Sequence, residues 1–238
     1  MTSTAVQVAP QPVGQLPEGR GLRAEKVSAR YGRRGPLVLD GVSVTVPPGR
    51  ITGLRGPSGT GKSTLARVLS GLLAPCSGEV TADGAPVATR RGAMGGRTAM
   101  LFQSPRRSCS PYATLRRTIL EPTTIRGSRA AQNQVDLESV CHRVGLTDDL
   151  LDRLPTQVSL GQLQRACLAR VIVSRPDYLI CDEATAMLDA ASAASVAHLV
   201  RGLAEDGVGV LAISHDAPFL EAWADEVCDL SDLGGSAV

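Results

Sequence analysis

Hydrophobic positions along the chain follow two rhythms. Residues 22–31 and 38–46 alternate or run apolar, with a Gly/Arg-rich stretch at 32–35 between them, and predict two strands joined by a turn. Pro47, Pro48 and Gly49 break that pattern. A short apolar strand is expected at 51–54, followed by a glycine-rich loop at 56–61. Over 62–72 the period becomes helical, with Leu65, Val68, Leu69 and Leu72 on one face and Pro75 as the stop. Residues 78–87 predict a hairpin, and 98–102 a strand ending at polar Gln103.

From about 105 to 160 the composition shifts toward Arg, polar residues and helix formers. Leu115 and Ile119, then Leu137, Val140 and Val144, recur at helical spacing, so this stretch reads as a helical insert. Beyond it come a helix at 161–174, a buried strand at 177–181, a helix at 190–204, a buried strand at 208–214 and a helix at 217–224; the tail after Asp229 is weakly patterned. Short apolar strands alternating with helices imply an α/β fold with a parallel sheet covered on both faces.

Composition narrows what such a fold is for. Aromatic residues are 3% of the 238, so the core is built from Val, Leu, Ile and Ala, and no stacking surface for single-stranded nucleic acid is expected. A net charge of +2 gives no electrostatic case for nucleic acid or anionic membrane as a partner. No apolar run reaches the ~18 residues of a membrane span. Residues 1–20, rich in Pro, Gln and Val, read as a disordered lead-in without the basic start and apolar stretch of a signal peptide. Six scattered Cys without a C-x-x-C pair argue against zinc or a disulfide framework and suit a reduced cytoplasmic setting. All but two of the 25 basic residues are Arg; only Lys26 and Lys62 are Lys.

Lys62 lies where Arg would not serve. Gly56-Pro57-Ser58-Gly59-Thr60-Gly61-Lys62-Ser63 satisfies G-x-x-x-x-G-K-[ST], with a strand before it and a helix after it. Glycines let successive backbone N–H groups turn inward onto phosphate oxygens, and the helix adds its positive end. Lys62 supplies a compact charge between the β- and γ-phosphates, where a planar guanidinium has the wrong shape. Ser63 offers a hydroxyl to Mg²⁺, and Thr64 follows it in the nucleotide-binding set. Tyr178-Leu179-Ile180-Cys181-Asp182-Glu183 provides carboxylates at the end of a buried strand. Asp182 is the candidate for Mg²⁺, and Glu183 for polarising the attacking water. The chemistry these residues imply is hydrolysis of a nucleoside triphosphate, with Mg²⁺; the resemblance that follows implies ATP.

More residues follow in order: Tyr31 before the loop, Gln103 after a strand, Val158-Ser159-Leu160-Gly161-Gln162, Asp182-Glu183-Ala184-Thr185, Met187-Leu188-Asp189, and His215 after a strand. With them the chain resembles, from about 22 to 229, the nucleotide-binding subunit of ATP-binding cassette (ABC) transporters. The resemblance implies a P-loop NTPase cassette over 21–238, with a mainly parallel sheet core, an antiparallel β subdomain and the helical insert. It implies that Tyr31 stacks on adenine and that Gln103 ligands Mg²⁺ and senses the membrane partner. It gives Ser159, Gly161 and Gln162 to the signature sequence and Asp189 to the D-loop, both facing nucleotide. His215 becomes the switch histidine at the γ-phosphate, catalytic alongside Glu183, Lys62 and Gln103.

The signature departs from the usual Leu-Ser-Gly-Gly-Gln at Val158 and Leu160. A glycine at a close approach to phosphate is there because a Cβ does not fit or because φ is positive. Family members bind ATP head-to-tail as dimers, each loop facing the other chain's signature, so Leu160 is expected to weaken the partner's site. Pairing with a related but different ATPase follows, a fully active homodimer being the alternative. The stretch from Gln103-Ser104-Pro105 to Ile119-Leu120-Glu121-Pro122 resembles the peptide/nickel uptake branch. The chain stops soon after Asp229, without the extension longer peptide ATPases carry, which tilts the reading toward nickel or a metal chelate. The implied partners are two transmembrane permease subunits and, indirectly, an extracytoplasmic substrate-binding protein, with this chain peripheral on the cytoplasmic membrane face. Two alternatives stand beside this one: a catalytically impaired partner ATPase, and a soluble ABC ATPase outside transport.

Overall fold

The computed structural model describes residues 19–32, 34–87, 97–125 and 135–234. The lead-in expected over 1–20 lies outside the described residues, apart from its last two.

Strands β1 (Leu22–Arg30) and β2 (Leu37–Val46) pair antiparallel, Leu22 opposite Val46, as their alternation predicts. Strands β3 (Ile51–Arg55) and β4 (Ser77–Ala82) are separated by helix α1 (Lys62–Leu69). β4 turns into the short β5 (Ala85–Pro86) through Asp83-Gly84, both left-handed at φ 48° and 76°. Two consecutive positive-φ residues suit the twist of a hairpin, and Asp-Gly is a pair that tolerates them. These strands form a four-stranded sheet in the order β2-β1-β4-β5.

The second sheet joins β3 to β6 (Thr98–Leu101), β7 (Tyr178–Asp182), β8 (Gly209–Ile213) and β9 (Glu226–Asp229), in the order β6-β7-β8-β3-β9 with all neighbours parallel. β7 and β8 are buried at every position. That is why their sequence runs continuously apolar: both faces are covered. On one face, α1 and the antiparallel sheet enclose Leu54, Leu65, Leu69 and Ile180. On the other lie the insert and the later helices, around Leu115, Ile119, Leu163, Leu168 and Val200.

The insert comprises α2 (Pro105–Ser108), α3 (Leu115–Ile125), α4 (Leu137–Val144) and α5 (Asp148–Leu151). Asp136 caps α4 by accepting from Ser139 N at 3.0 Å, and left-handed Gly145 closes it. The long α6 (Leu160–Ser174) packs against α3 and α4. Helices α7 (Ala190–Glu205) and α8 (Ala217–Trp223) complete the layer.

Two sequence expectations need correction. Helix α1 stops at Leu69, because Ser70 caps it and Gly71 turns left-handed at φ 75°; Leu72 is 51% exposed and Pro75 is not the stop. Strand β9 and the turn after it, with Leu230 buried, are ordered parts of the fold. β9 is only four half-buried residues with acidic ends, and its pairing partner β3 is distant in sequence, so local pattern carries no trace of it.

Candidate nucleotide site

The parallel sheet assembles the site from chain segments that are far apart in sequence. Adjacent strands β6, β7, β8 and β3 end on one edge. Within two residues of those ends stand Gln103, Glu183, His215 and the Gly56 loop. This is the carboxyl edge, where open α/β sheets place their ligands.

The loop runs from β3 into α1. Gly61 caps the helix at φ 105°, and a Cβ there would stand 2.8 Å from Leu39 Cδ2 and 3.0 Å from the Val38 carbonyl, so only glycine fits. No side chain caps α1, which leaves its first-turn amides facing outward as an anion site. Thr60 Oγ1 donates to the Pro57 carbonyl at 2.9 Å and fixes the bend. Lys62, only 6% exposed, donates to the carbonyls of Gly56 and Pro57, both at 2.7 Å. Its ammonium is therefore held inside the curl of the loop. Ser58, Gly59, Gly61, Lys62, Ser63, Thr64, Gln103 and Glu183 line a cavity of about 250 Å³.

Ser63 Oγ donates to Asp182 Oδ1 at 3.0 Å across 119 residues. Burial raises the Asp182 carboxyl above its ordinary value; the Ser63 hydrogen bond opposes this and the Glu183 charge adds to it. The native chain thus holds that proton more tightly than the unfolded chain. The charged form opposes folding, an effect absent below the ordinary aspartate range and complete above the raised folded value. A buried carboxylate beside a hydroxyl is an all-oxygen donor set of the kind Mg²⁺ selects.

Glu183 has φ 50°, a rare conformation for a residue other than glycine. Its amide donates to the Ile213 carbonyl at 3.0 Å, so β8 holds the turn. Each carboxylate oxygen faces a different side chain. Gln103 Nε2 donates to Oε2 at 2.8 Å, and His215 Nδ1 stands 3.6 Å from Oε1, beyond hydrogen-bond length. Tyr31 lies over α1: its hydroxyl is 3.2 Å from Thr64 Oγ1 and accepts from Arg67 Nη1 at 2.8 Å, and the ring is 46% exposed.

The remaining nucleotide candidates form a separate group. None of Ser159, Gly161, Gln162 and Asp189 lines the cavity. Ser159 caps α6, its hydroxyl accepting from Gln162 N at 3.1 Å while Gln162 Oε1 accepts from Ser159 N at 2.9 Å. Asp189 caps α7 by accepting from Ser192 N at 3.0 Å and Ser192 Oγ at 2.6 Å, and these bonds hold its carboxyl below the usual range. The two helix starts are neighbours: a Cβ on Gly161 would lie 3.0 Å from Ser192 Oγ. Leu160 takes a helical backbone with negative φ in the first turn of α6. Of the two reasons for a glycine there, positive φ does not apply.

Three side chains escaped the sequence reading. Arg67 holds Tyr31, and its i,i+3 spacing from Thr64 was a legible signal. Arg106 donates to the Pro155 carbonyl at 2.7 Å and the Val158 carbonyl at 3.4 Å, tying the segment after Gln103 to the start of the signature. Buried Gln164 donates to the Ala184 carbonyl at 2.9 Å, joining α6 to the turn after Glu183. The latter two join distant segments, which sequence spacing does not reveal.

Comparison with known proteins agrees with this fold. Residues 39–186 match the family described as ABC transporter. The chain is 36% identical over 196 residues to the nickel import ATP-binding protein NikE of Escherichia coli K12, covering 80% of this chain and 73% of that one. It is 33% identical over 211 residues to the methionine import ATP-binding protein MetN of Caulobacter vibrioides, covering 87% and 63%. Among solved structures, CbiO1 from Clostridium perfringens, part of the CbiONQ ABC transporter complex, superposes with a TM-score of 0.76 at 25% identity over 89% of this chain and 85% of that one. The chain belongs to the ABC transporter family, as one of its ATP-hydrolysing subunits.

Proposed function

We propose that the chain powers a membrane importer of nickel or a metal chelate, with an oligopeptide as the alternative cargo. Identity to a nickel import subunit supports the first; a methionine import relative at similar identity keeps the cargo open to test. Among the described residues no helix is long and apolar enough to cross a membrane. The proposal therefore assigns the membrane path to two permease subunits, with this chain docked on their cytoplasmic face and an extracytoplasmic binding protein delivering cargo.

The observation that carries the ATPase assignment to named residues is Glu183, hydrogen-bonded by Gln103 and faced by His215, beside the Lys62 loop. ATP phosphates compete with the Gly56 and Pro57 carbonyls for the Lys62 ammonium. The α1 amides and the backbone of Gly56, Pro57, Ser58, Gly59, Thr60 and Gly61 cradle the phosphate oxygens. Tyr31 offers its ring to adenine, and Thr64 supports it. Ser63, Asp182 and the amide oxygen of Gln103 would hold Mg²⁺, which when bound would supply positive charge against the phosphates. Glu183 orients and deprotonates the attacking water, and His215 bridges that water to the γ-phosphate. Phosphoryl transfer asks for positioning and charge rather than covalent chemistry, and these residues provide both.

Ser159, Gly161, Gln162 and Asp189 serve the nucleotide of a partner ATPase, a reading supported by none of them lining the cavity at this chain's own loop. Leu160 favours a related but different partner, with unequal sites. The cargo test is uptake of radioactive nickel and of a labelled peptide by cells carrying the chain with its neighbouring membrane subunits. ATP-dependent nickel uptake lost in the Lys62→Ala variant supports the proposal. Peptide uptake without nickel uptake overturns the first cargo in favour of the second.

A further inference from the structure

Cys109 and Cys167 lie 58 residues apart in sequence, yet their sulfurs are 3.5 Å apart. Cys109 directly follows α2, and Cys167 sits in the middle of α6. Both are buried, at 8% and 2% exposure. Both belong to the hydrophobic core, but polar groups reach the pair. Ser108 Oγ is 3.8 Å from Cys109 Sγ and 3.5 Å from Cys167 Sγ. Arg170 donates to the Ser108 carbonyl at 3.0 Å and to Glu121 Oε2 at 3.2 Å, bringing a cation to the pair.

This arrangement distinguishes the two thiols. The hydrogen bond from Cys167 holds Cys109 below the usual thiol range against burial, and the Arg170 charge reinforces it. The same bond, with burial, pushes Cys167 up. Burial pushes Cys141 and Cys181 up, with the charges of Asp148 and Asp182 adding to it, the condition of inert core thiols.

We infer that Cys109 and Cys167 form a reversible disulfide on exposure to a peroxide, and that this bond slows ATP turnover. The Cys109 thiolate attacks one peroxide oxygen, the O–O bond breaks, and hydroxide leaves to be protonated to water. Cys109 is now a sulfenic acid. Cys167 loses its proton and attacks that sulfur, and the S–O bond breaks with release of a second water. Two thiols lose two electrons in total, and the peroxide gains them. The sulfurs close from 3.5 Å to the ~2.0 Å of a disulfide. A dithiol reductant reverses the bond by exchange.

The bond would staple the segment after Gln103 to the helix that begins at Ser159. Arg106 and Arg170 already bridge these parts by hydrogen bonds, which a conformational cycle can break and a covalent bond cannot. The effect on turnover rests on the role proposed for Gln103; the cross-link itself does not.

The test is peroxide treatment of the full chain, blocking of remaining thiols, and peptide mass mapping beside ATP turnover. The expected product joins the peptides of Cys109 and Cys167, raises the melting temperature by closing the insert into a loop, and disappears with dithiothreitol. Turnover is expected to fall by about tenfold, the equivalent of ~1.4 kcal/mol in the barrier, and to return on reduction. Cys109→Ser and Cys167→Ser keep basal turnover and lose the peroxide response; Cys109→Ala and Cys167→Ala repeat the test if a buried serine unfolds the chain. Oxidation found only at exposed Cys76, or only over-oxidised Cys109 without a link, overturns the pair. A link that leaves turnover unchanged overturns the switch and points to the Gln103 role as the failing premise.

Discussion

The two groups of nucleotide candidates are held in opposite ways. At the phosphate loop, the two carboxylates are held by distant segments: Asp182 by Ser63 across 119 residues, Glu183 by Gln103 across 80. At the signature, they are local: Ser159 with Gln162, Asp189 with Ser192, each three residues apart. The first group becomes a site only when the parallel sheet forms. The second is two capped helix starts, stable without any nucleotide and exposed for a partner. On the proposed reading, one group is the centre of chemistry and the other a docking edge that carries chemistry to a second chain.

The largest expected effect falls on the first group. Glu183→Gln keeps the hydrogen bond from Gln103 possible but removes the base, and turnover should drop by about 10²–10⁴-fold, the usual worth of a positioned general base. ATP binding should remain, because the Lys62 loop is untouched. Single-turnover hydrolysis and nucleotide binding on the purified chain separate the two. Turnover within a few fold of the parent would remove Glu183 from the mechanism and with it the contrast between the groups.

Ser159 separates folding from docking within the second group. Ser159→Ala loses the cap and should lower stability by about 1 kcal/mol. Ser159→Asp keeps a good cap and places negative charge at the helix start, so stability should hold. In the assembled transporter, however, that carboxylate would repel a partner's phosphate and turnover should fall. Melting curves and ATP turnover on both variants read the two roles apart. If Ser159→Asp assembles and turns over normally, the signature serves only as a helix cap.

How much of this was legible follows from the same contrast. The loop at Gly56 and the acid pair at Asp182 are short-range patterns, and sequence carries them whole; the Ser159/Gln162 cap is as local, but in sequence its residues read only as the signature. The Asp83-Gly84 hairpin and the fully apolar β7 and β8 belong to the same class. What sequence could not show is where distant segments meet. The Arg106 bonds to Pro155 and Val158, the Cys109–Cys167 approach and strand β9 all depend on tertiary packing. The end of α1 was misjudged for another reason: Leu72 continued the apolar rhythm, but Gly71 had already turned the backbone.

Leu160 is where the smallest effect carries the finest distinction. Its helical backbone means that restoring glycine relieves no strain in this chain. Leu160→Gly should therefore destabilise the isolated chain slightly, by less than the ~1 kcal/mol of a mid-helix glycine because it lies in the first turn. Any gain must arise across the dimer, where removing a side chain lets the Gly161 amide and Ser159 hydroxyl approach the partner's phosphate more closely. A severalfold rise in turnover of the assembled transporter, with no rise in the chain alone, would mean that Leu160 keeps the partner's site weak and the two sites unequal. No rise in either would mean that the half-buried Leu160 side chain lies clear of the phosphate, and an equal pair of sites would then be the better description of the dimer.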